Sequence, residues 1–471
     1  MTPATRWRVA AAMALFALAV VAPVVTNYNA QPASRYALTA AVAEHATVDL
    51  GRYDRILGID RAIYDDELRS DKPPGQPLLG VPVYLLGRVL GIDGAAEMRA
   101  SGDLGLWWQA LWGAMVPFAV TVALMYVVAA RFAPRAAVPA ALAIGFGTIM
   151  LPHAASLYGH ALAALLGYAA WCMLDRSGGS RRQLAFAGLL AAGAISVEYH
   201  TAIVVAVVGV VAIARWKRHA LWCLVGAVPP ALMTAIYHRA AFGHAWRLPY
   251  EYYAGELGDV PTTEGGYSLP SVRDLVDVVA GRHGLLFVSP VVLVALVAAY
   301  LVARGRGAND ARTHSLVALA VFVPYALLVA GWSGTPLLEE PGPRYLIPAL
   351  PFLAVPLAVM WDRCRPAALV TSVWGAAVCA AGTVTLLFVA PGNAPFHVYF
   401  ERVARFDFNP TVWSMAVGPI GAVVYVAVIA IAAAILANTV LTSTNRCSTD
   451  LPPTATLAGN DRRSDPRPWR P

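Results

Sequence analysis

The chain has 471 residues, 58% of them hydrophobic and 13% charged, with a mean hydropathy of +0.58. That leaves too little polar surface to close around a soluble core, which excludes a soluble globular domain and points to an integral membrane protein. The formal net charge of +7 is sorted by face, as the loops below show, and gives no support to nucleic-acid binding.

Near-continuous apolar runs start near residues 7, 104, 137, 155, 184, 199, 220, 285, 315, 344, 367 and 413. At about 16 to 25 residues each can cross a bilayer as a helix, so the reading is an all-α polytopic bundle of roughly 12 spans. The first is a retained anchor, since Ala22-Pro23-Val24-Val25-Thr26 lacks a small-x-small cleavage site. Residues 27–103 then form a long connection in which Ser34 is placed to cap a helix running to Glu44, with Tyr36, Leu38, Ala41 and Val42 as its apolar stripe. The same connection holds Asp49 and ends in Ser70-Asp71-Lys72-Pro73-Pro74-Gly75. Lys72 is one of two lysines beside 33 arginines. An ammonium is a compact point charge suited to a phosphate oxygen, and the two prolines hold it on a stiff arm. The apolar stretch Gln76 to Gly91, interrupted by Pro77 and Pro82, is assigned as an interfacial or re-entrant helix, because a full crossing there would invert every later loop.

Further along, Tyr158-Gly159-His160 opens a span, and Glu198-Tyr199-His200 places an ionisable group near membrane depth, where it is costly unless it faces a cavity. Residues 239–284 form a second large connection. It holds Tyr250, Glu251, Tyr252 and Tyr253, groups able to stack on and hydrogen-bond a sugar, and ends at Arg282-His283-Gly284. Glu339-Glu340-Pro341-Gly342-Pro343-Arg344-Tyr345 brings a second arginine to the start of a late span. Two arginines, Lys72 and helix N-termini converging on one face would make an anion-binding cavity. From about residue 445 the chain is rich in Pro, Thr, Asp and Arg and reads as a disordered tail.

The short loops orient the bundle. One face carries Arg6 and Arg8, Arg131 and Arg135, Arg176 to Arg182, Arg215 to Arg218, Arg304 to Arg312, Arg363 and Arg365, and the tail. It has 20 basic against 6 acidic residues, a net of +14; the opposite face has 15 against 22, a net of −7. The basic face is therefore assigned to the cytoplasm, with both termini, and the two long connections to the outside of the plasma membrane. The five cysteines form no close pair in sequence and suggest neither disulfides nor a metal site.

Ser34-Arg35-Tyr36-Ala37, Asp71-Lys72-Pro73-Pro74, Tyr158-Gly159-His160, Glu198-Tyr199 and Gly342-Pro343-Arg344-Tyr345-Leu346, taken in order, resemble the GT-C superfamily of polyprenyl-phosphate-sugar-dependent glycosyltransferases. The likeness is strongest to the protein O-mannosyltransferase and aminoarabinose-transferase branch, and covers about residues 7 to 440. It implies a GT-C-like transmembrane domain over residues 1–440. It further implies inverting transfer of a sugar from a polyprenyl-phosphate donor to a hydroxyl on a glycan, lipid or protein of the cell envelope. Lys72 and Arg344 would hold the lipid phosphate, with Arg282 an equal alternative to Arg344. His160, Glu198, Tyr199, Tyr250, Glu251 and Tyr345 would line the substrate cavity. The family's general base lies just before the Arg-Tyr-Ala stretch, where this chain has Gln31-Pro32-Ala33; the base is therefore expected at Asp71, then Glu44 or Asp49, with Glu198 next. No cofactor is required; a divalent metal is compatible with the chemistry but not indicated. Two alternatives stay open: a non-catalytic lipid-linked-sugar binding protein, and a lipid-linked-sugar transporter or flippase. The latter predicts mid-span charges and internal repeats.

Overall fold

The computed structural model describes residues 2–254, 268–305, 309–332, 341–389 and 392–449. Glu339 and Glu340 and the tail from residue 450 lie outside them. Among the described residues the chain is helical apart from one antiparallel ribbon, Ala62–Tyr64 with Glu67–Arg69, in which Ala62 faces Arg69. Helices are what long apolar runs must form in hydrocarbon, where each backbone group needs a partner within its own segment.

Six helical stretches among the described residues are long and apolar enough to cross a bilayer; the pair Val272–Val288 and Val291–Arg304, bent by 105°, makes a seventh if counted as one span. Pro290 sits at that bend. Two stretches, Tyr199–Phe242 with 44 residues and Arg344–Val384 with 41, are each on the order of 60 Å along the helix, about twice the hydrocarbon thickness. The first contains a basic break where the sequence predicts a turn; in the second, the turn expected at Asp362 to Pro366 falls inside one unbroken helical run, Ala354–Val384. At the first, Lys217 adopts a positive φ of 47° between the helices Ala202–Trp216 and Leu221–Phe242. Around the second, Gly342 packs on Val288 and the Cys379 thiol reaches the Val288 carbonyl at 3.5 Å. The chain therefore doubles back between residues 342 and 379, and the polar run Asp362 to Pro366 lies within that return.

The first long connection is built, as expected, around a helix, but with a different start. It spans Ala30–His45 and is capped by Asn29, whose side chain accepts from the Gln31 amide at 2.9 Å. Ser34 is therefore not the cap; it is buried one turn in and hydrogen-bonds Ser70 at 3.0 Å. The stretch after Lys72 is a 15-residue helix, Gly75–Val89, about 22 Å long and too short to cross. It exposes Leu79, Leu85, Leu86 and Val89, which fits a helix lying at the membrane interface. The last helix, Ile420–Thr449, runs slightly past the expected tail boundary at 445.

At one end of the bundle Asp175 is the hub of a buried network. It accepts from Arg131 at 2.8 Å, Arg215 at 3.2 Å and His314 at 3.3 Å, while Trp171 donates to the other His314 nitrogen at 3.1 Å. This is the end that carries the basic loops. His160 begins and Asp175 nearly ends the same helix, Gly159–Arg176, which puts them about 22 Å apart.

Candidate active site

At the His160 end, five segments converge, carrying Lys72, Arg35, His160, Glu198 and Arg344. The loop after the ribbon brings Lys72, whose ammonium donates to Asp60 at 2.5 Å and to Asp71 at 2.8 Å. The Lys72 amide also donates to the Ser70 hydroxyl at 3.2 Å, and Pro73-Pro74 lead directly into the next helix. Gly75 is there because a Cβ would stand 2.5 Å from the Ser196 carbonyl group. The lysine loop is thus pressed against the backbone that leads to Glu198.

Arg35 projects from the Ala30–His45 helix and donates to Glu198 Oε1 at 2.6 Å, with the two side chains 1% and 4% exposed. A Cβ on Gly159 would collide with that same carboxylate oxygen and come within 3.0 Å of the guanidinium, so the pair requires a glycine at the helix start. His160 Nδ1 and His200 Nε2 each lie 3.7 Å from a Glu198 oxygen, too long for a hydrogen bond. Around them, Tyr158 stacks on His160 at 5.8 Å, and Tyr345 meets His160 and His200 edge-on at 5.7 and 5.0 Å. The Arg344 guanidinium lies over both Tyr158 and Tyr345, at 5.8 and 5.3 Å from the ring centres.

Electrostatics set the roles these groups can take. Burial works against the Lys72 ammonium, but Asp60 and Asp71 outweigh it and hold the lysine charged above its ordinary range. Burial raises the Asp71 carboxyl to about 6, with Asp60 adding to the rise and Lys72 and Arg35 opposing it. A carboxylate poised near neutrality is suited to taking a proton from a hydroxyl. Asp71 Oδ1 has no hydrogen-bond partner among the described residues, so one oxygen is held by Lys72 and the other is free.

The expected residues divide accordingly. Lys72, Asp71, Arg344, His160, Glu198 and Tyr345 are brought together. Tyr199 joins at the edge, bonded to His238 at 2.6 Å and edge-on to the partly exposed Tyr250 at 6.0 Å. Glu44 is not part of this cluster. It lies nine residues along the helix from Arg35, about 13 Å away, and accepts from Tyr84 at 2.6 Å and Tyr53 at 3.1 Å. Asp49 faces Arg69 at 3.6 Å and accepts from the Gly51 amide. Glu251 is exposed and caps its own turn through the Leu248 amide. The exposed Arg282 bonds the Gly392 carbonyl. Sequence reading missed Asp60, Arg35 as the partner of Glu198, and His200; the signal available was a lone arginine amid the apolar residues of a short helix.

Among the described residues, His160, Glu198 and His200 are the one set of metal-ligating side chains whose ligand atoms lie within 4.8 Å of one another. Arg35 already occupies one oxygen of that carboxylate.

No family model matches the chain, and no curated protein matches it. Among solved structures it is similar to the crystal structure of ArnT from Cupriavidus metallidurans bound to undecaprenyl phosphate, at 16% identity over 93% of this chain and 73% of that one, with a TM-score of 0.47. The apo state of the same protein gives 16% identity over 94% and 76%, with a TM-score of 0.48.

Proposed function

We propose that this chain is a membrane glycosyltransferase that moves a sugar from a polyprenyl-phosphate donor to a hydroxyl acceptor on the outer side of the plasma membrane, as the GT-C resemblance implies. The observation that carries this reading is the cluster of buried Lys72, Arg35, Asp71 and Glu198 with half-buried Arg344 and Asp60 at the end of the bundle away from the basic loops. In the transfer, the bond between the anomeric carbon and the phosphate oxygen breaks as the acceptor oxygen bonds that carbon from the opposite face. The leaving polyprenyl phosphate gains charge, which Lys72 and Arg344 stabilise in a site shielded from water. The acceptor proton passes to a carboxylate, and Asp71 is the first choice: it is buried beside Lys72, with one oxygen unoccupied. Glu198 is held by Arg35.

The test is sugar transfer by purified protein in nanodiscs with a radiolabelled polyprenyl-phosphate sugar. Lys72→Ala should lose roughly 2 to 4 kcal/mol of transition-state stabilisation, and Lys72→Arg should not fully restore it. Full activity of Lys72→Ala at matched expression removes the reading; donor binding by the unmodified protein without transfer favours a non-catalytic lipid-linked-sugar binding protein.

A further inference from the structure

Three residues of the cluster form a set to which the proposed transfer gives no chemical step. His160 lies in the first turn of the helix Gly159–Arg176, while Glu198 and His200 sit two positions apart where the helix Arg181–Val197 gives way to a short tight turn, Tyr199–Thr201. Thr201 fixes that turn, its amide and hydroxyl both donating to the Glu198 carbonyl, at 3.0 and 2.7 Å. His160 Nδ1 lies 3.7 Å from Glu198 Oε1 and His200 Nε2 lies 3.7 Å from Oε2, and one ligand atom from each residue falls within 4.8 Å of the other two. Ligands about 2.1 Å from a tetrahedral zinc stand roughly 3.4 Å apart. Two sides of the triangle are thus a few tenths of an ångström wide of a coordination shell, and rotation of either imidazole can close the third.

Two features separate this set from histidines packed in a core. Among the described residues, neither nitrogen of His160 nor Nε2 of His200 has a hydrogen-bond partner, although His160 is 0% exposed; bare polar atoms in the interior are expensive. The other His200 nitrogen, Nδ1, lies 3.3 Å from the Tyr325 hydroxyl, the kind of outer contact that orients a ligating imidazole. With Nδ1–H donating there, Nε2 presents its lone pair toward Glu198. Arg35 does the matching work for the carboxylate, holding Oε1 at 2.6 Å. The wider cluster does not oppose a cation, because Lys72, Arg35 and Arg344 are balanced by Asp60, Asp71 and Glu198. A bare metal ion is smaller than a water molecule, so closure of these atoms to water does not close the point between them to an ion, and half-buried His200 is the member nearest solvent.

We infer that His160, Glu198 and His200 bind one zinc-type divalent ion. Two imidazoles and a carboxylate are a ligand set of zinc, whereas magnesium and calcium take oxygen ligands. Three protein ligands leave a fourth position for water or a substrate oxygen. The site stands on its own ligands and holds whether or not the chain transfers a sugar.

The experiment uses the full chain, purified on a tag without histidines, stripped with EDTA in nanodiscs and titrated with zinc chloride and cobalt(II) chloride. One ion per chain should bind, and cobalt(II) should show the intense visible bands of tetrahedral coordination. His160→Ala and His200→Ala should each weaken zinc by more than the roughly 10- to 100-fold typical of losing an outer contact. Tyr325→Phe, which keeps the ring and its packing, should weaken it about tenfold, so the site is tested even where a histidine variant fails to fold. Replacing His45, which is partly exposed at the far end of the Ala30–His45 helix, by Ala should change nothing. Because the ion and Arg35 share Glu198, the stability of that pair is compared on EDTA-stripped protein. Absence of cobalt bands in the parent, weak octahedral bands, or parental zinc affinity in both His160→Ala and Tyr325→Phe overturns the site. Zinc binding without sugar transfer keeps the site and counts against the transferase reading alone.

Discussion

Removing Arg35 should destabilise the protein far more than its single ion pair suggests. The guanidinium and the Glu198 carboxylate are 2.6 Å apart and almost wholly enclosed, and the two nearest imidazoles stand 3.7 Å off, beyond hydrogen-bonding reach. In Arg35→Met the carboxylate would remain buried with no cation against it. Breaking a buried pair from one side costs roughly 3 to 5 kcal/mol, whereas replacing both partners by apolar groups is often nearly neutral. The double variant Arg35→Met/Glu198→Leu should therefore recover most of the loss, within about 1 kcal/mol of the parent, giving a strongly non-additive cycle. Unfolding in mixed micelles, followed by tryptophan fluorescence across a denaturant series, measures all four corners. A loss below about 1 kcal/mol in Arg35→Met, or additive behaviour of the double variant, would falsify the claim that this pair is a desolvated unit.

Transfer should fall as pH drops through about 6, because the base must be ionised and Asp71 sits there. The decline should approach about tenfold per unit on the acid side, and Asp71→Asn should remove both the activity and the acid limb; an unchanged limb in that variant assigns it to another group. Gly75→Ala should cost about 1 to 3 kcal/mol by forcing the lysine loop off the Ser196 backbone, and a chemical-denaturation midpoint equal to the parent contradicts that packing. In a cysteine-free background, Arg52→Cys should react with an impermeant maleimide from outside the cell and Arg218→Cys should not. The opposite pattern inverts the orientation drawn from the charged loops.

The membrane-length apolar helices, the break at Lys217 and the Lys72 loop were legible because composition marks them: apolar runs, basic residues at a loop, one lysine between acid and proline. Glu198 and Arg344 stood out for the same reason, as polar groups next to long apolar runs. What could not be read is pairing across distance. Arg35 and Glu198 are 163 positions apart, and nothing in either neighbourhood announces the other. Asp60 is hidden likewise, in a loop whose path only the ribbon fixes. Glu44 shares a helix with Arg35, but periodicity gives the face of a helix and not which end meets the site, so a 13 Å error along the axis was invisible. The local partners of Glu251 and Arg282, a cap and a loop carbonyl, were likewise not legible.

The enclosure of Lys72 has a practical side for spectroscopy. The chain holds two lysines, and the other, Lys217, is exposed at the opposite end. Protein grown with nitrogen-15 lysine would thus carry only two labelled side-chain ammonium groups among 471 residues. One is open to solvent exchange and to amine-reactive reagents; the other is clasped by two carboxylates and shielded from both. The Lys72 signal should survive where the Lys217 signal is lost, giving a background-free reporter whose shift follows any anion brought to the cluster.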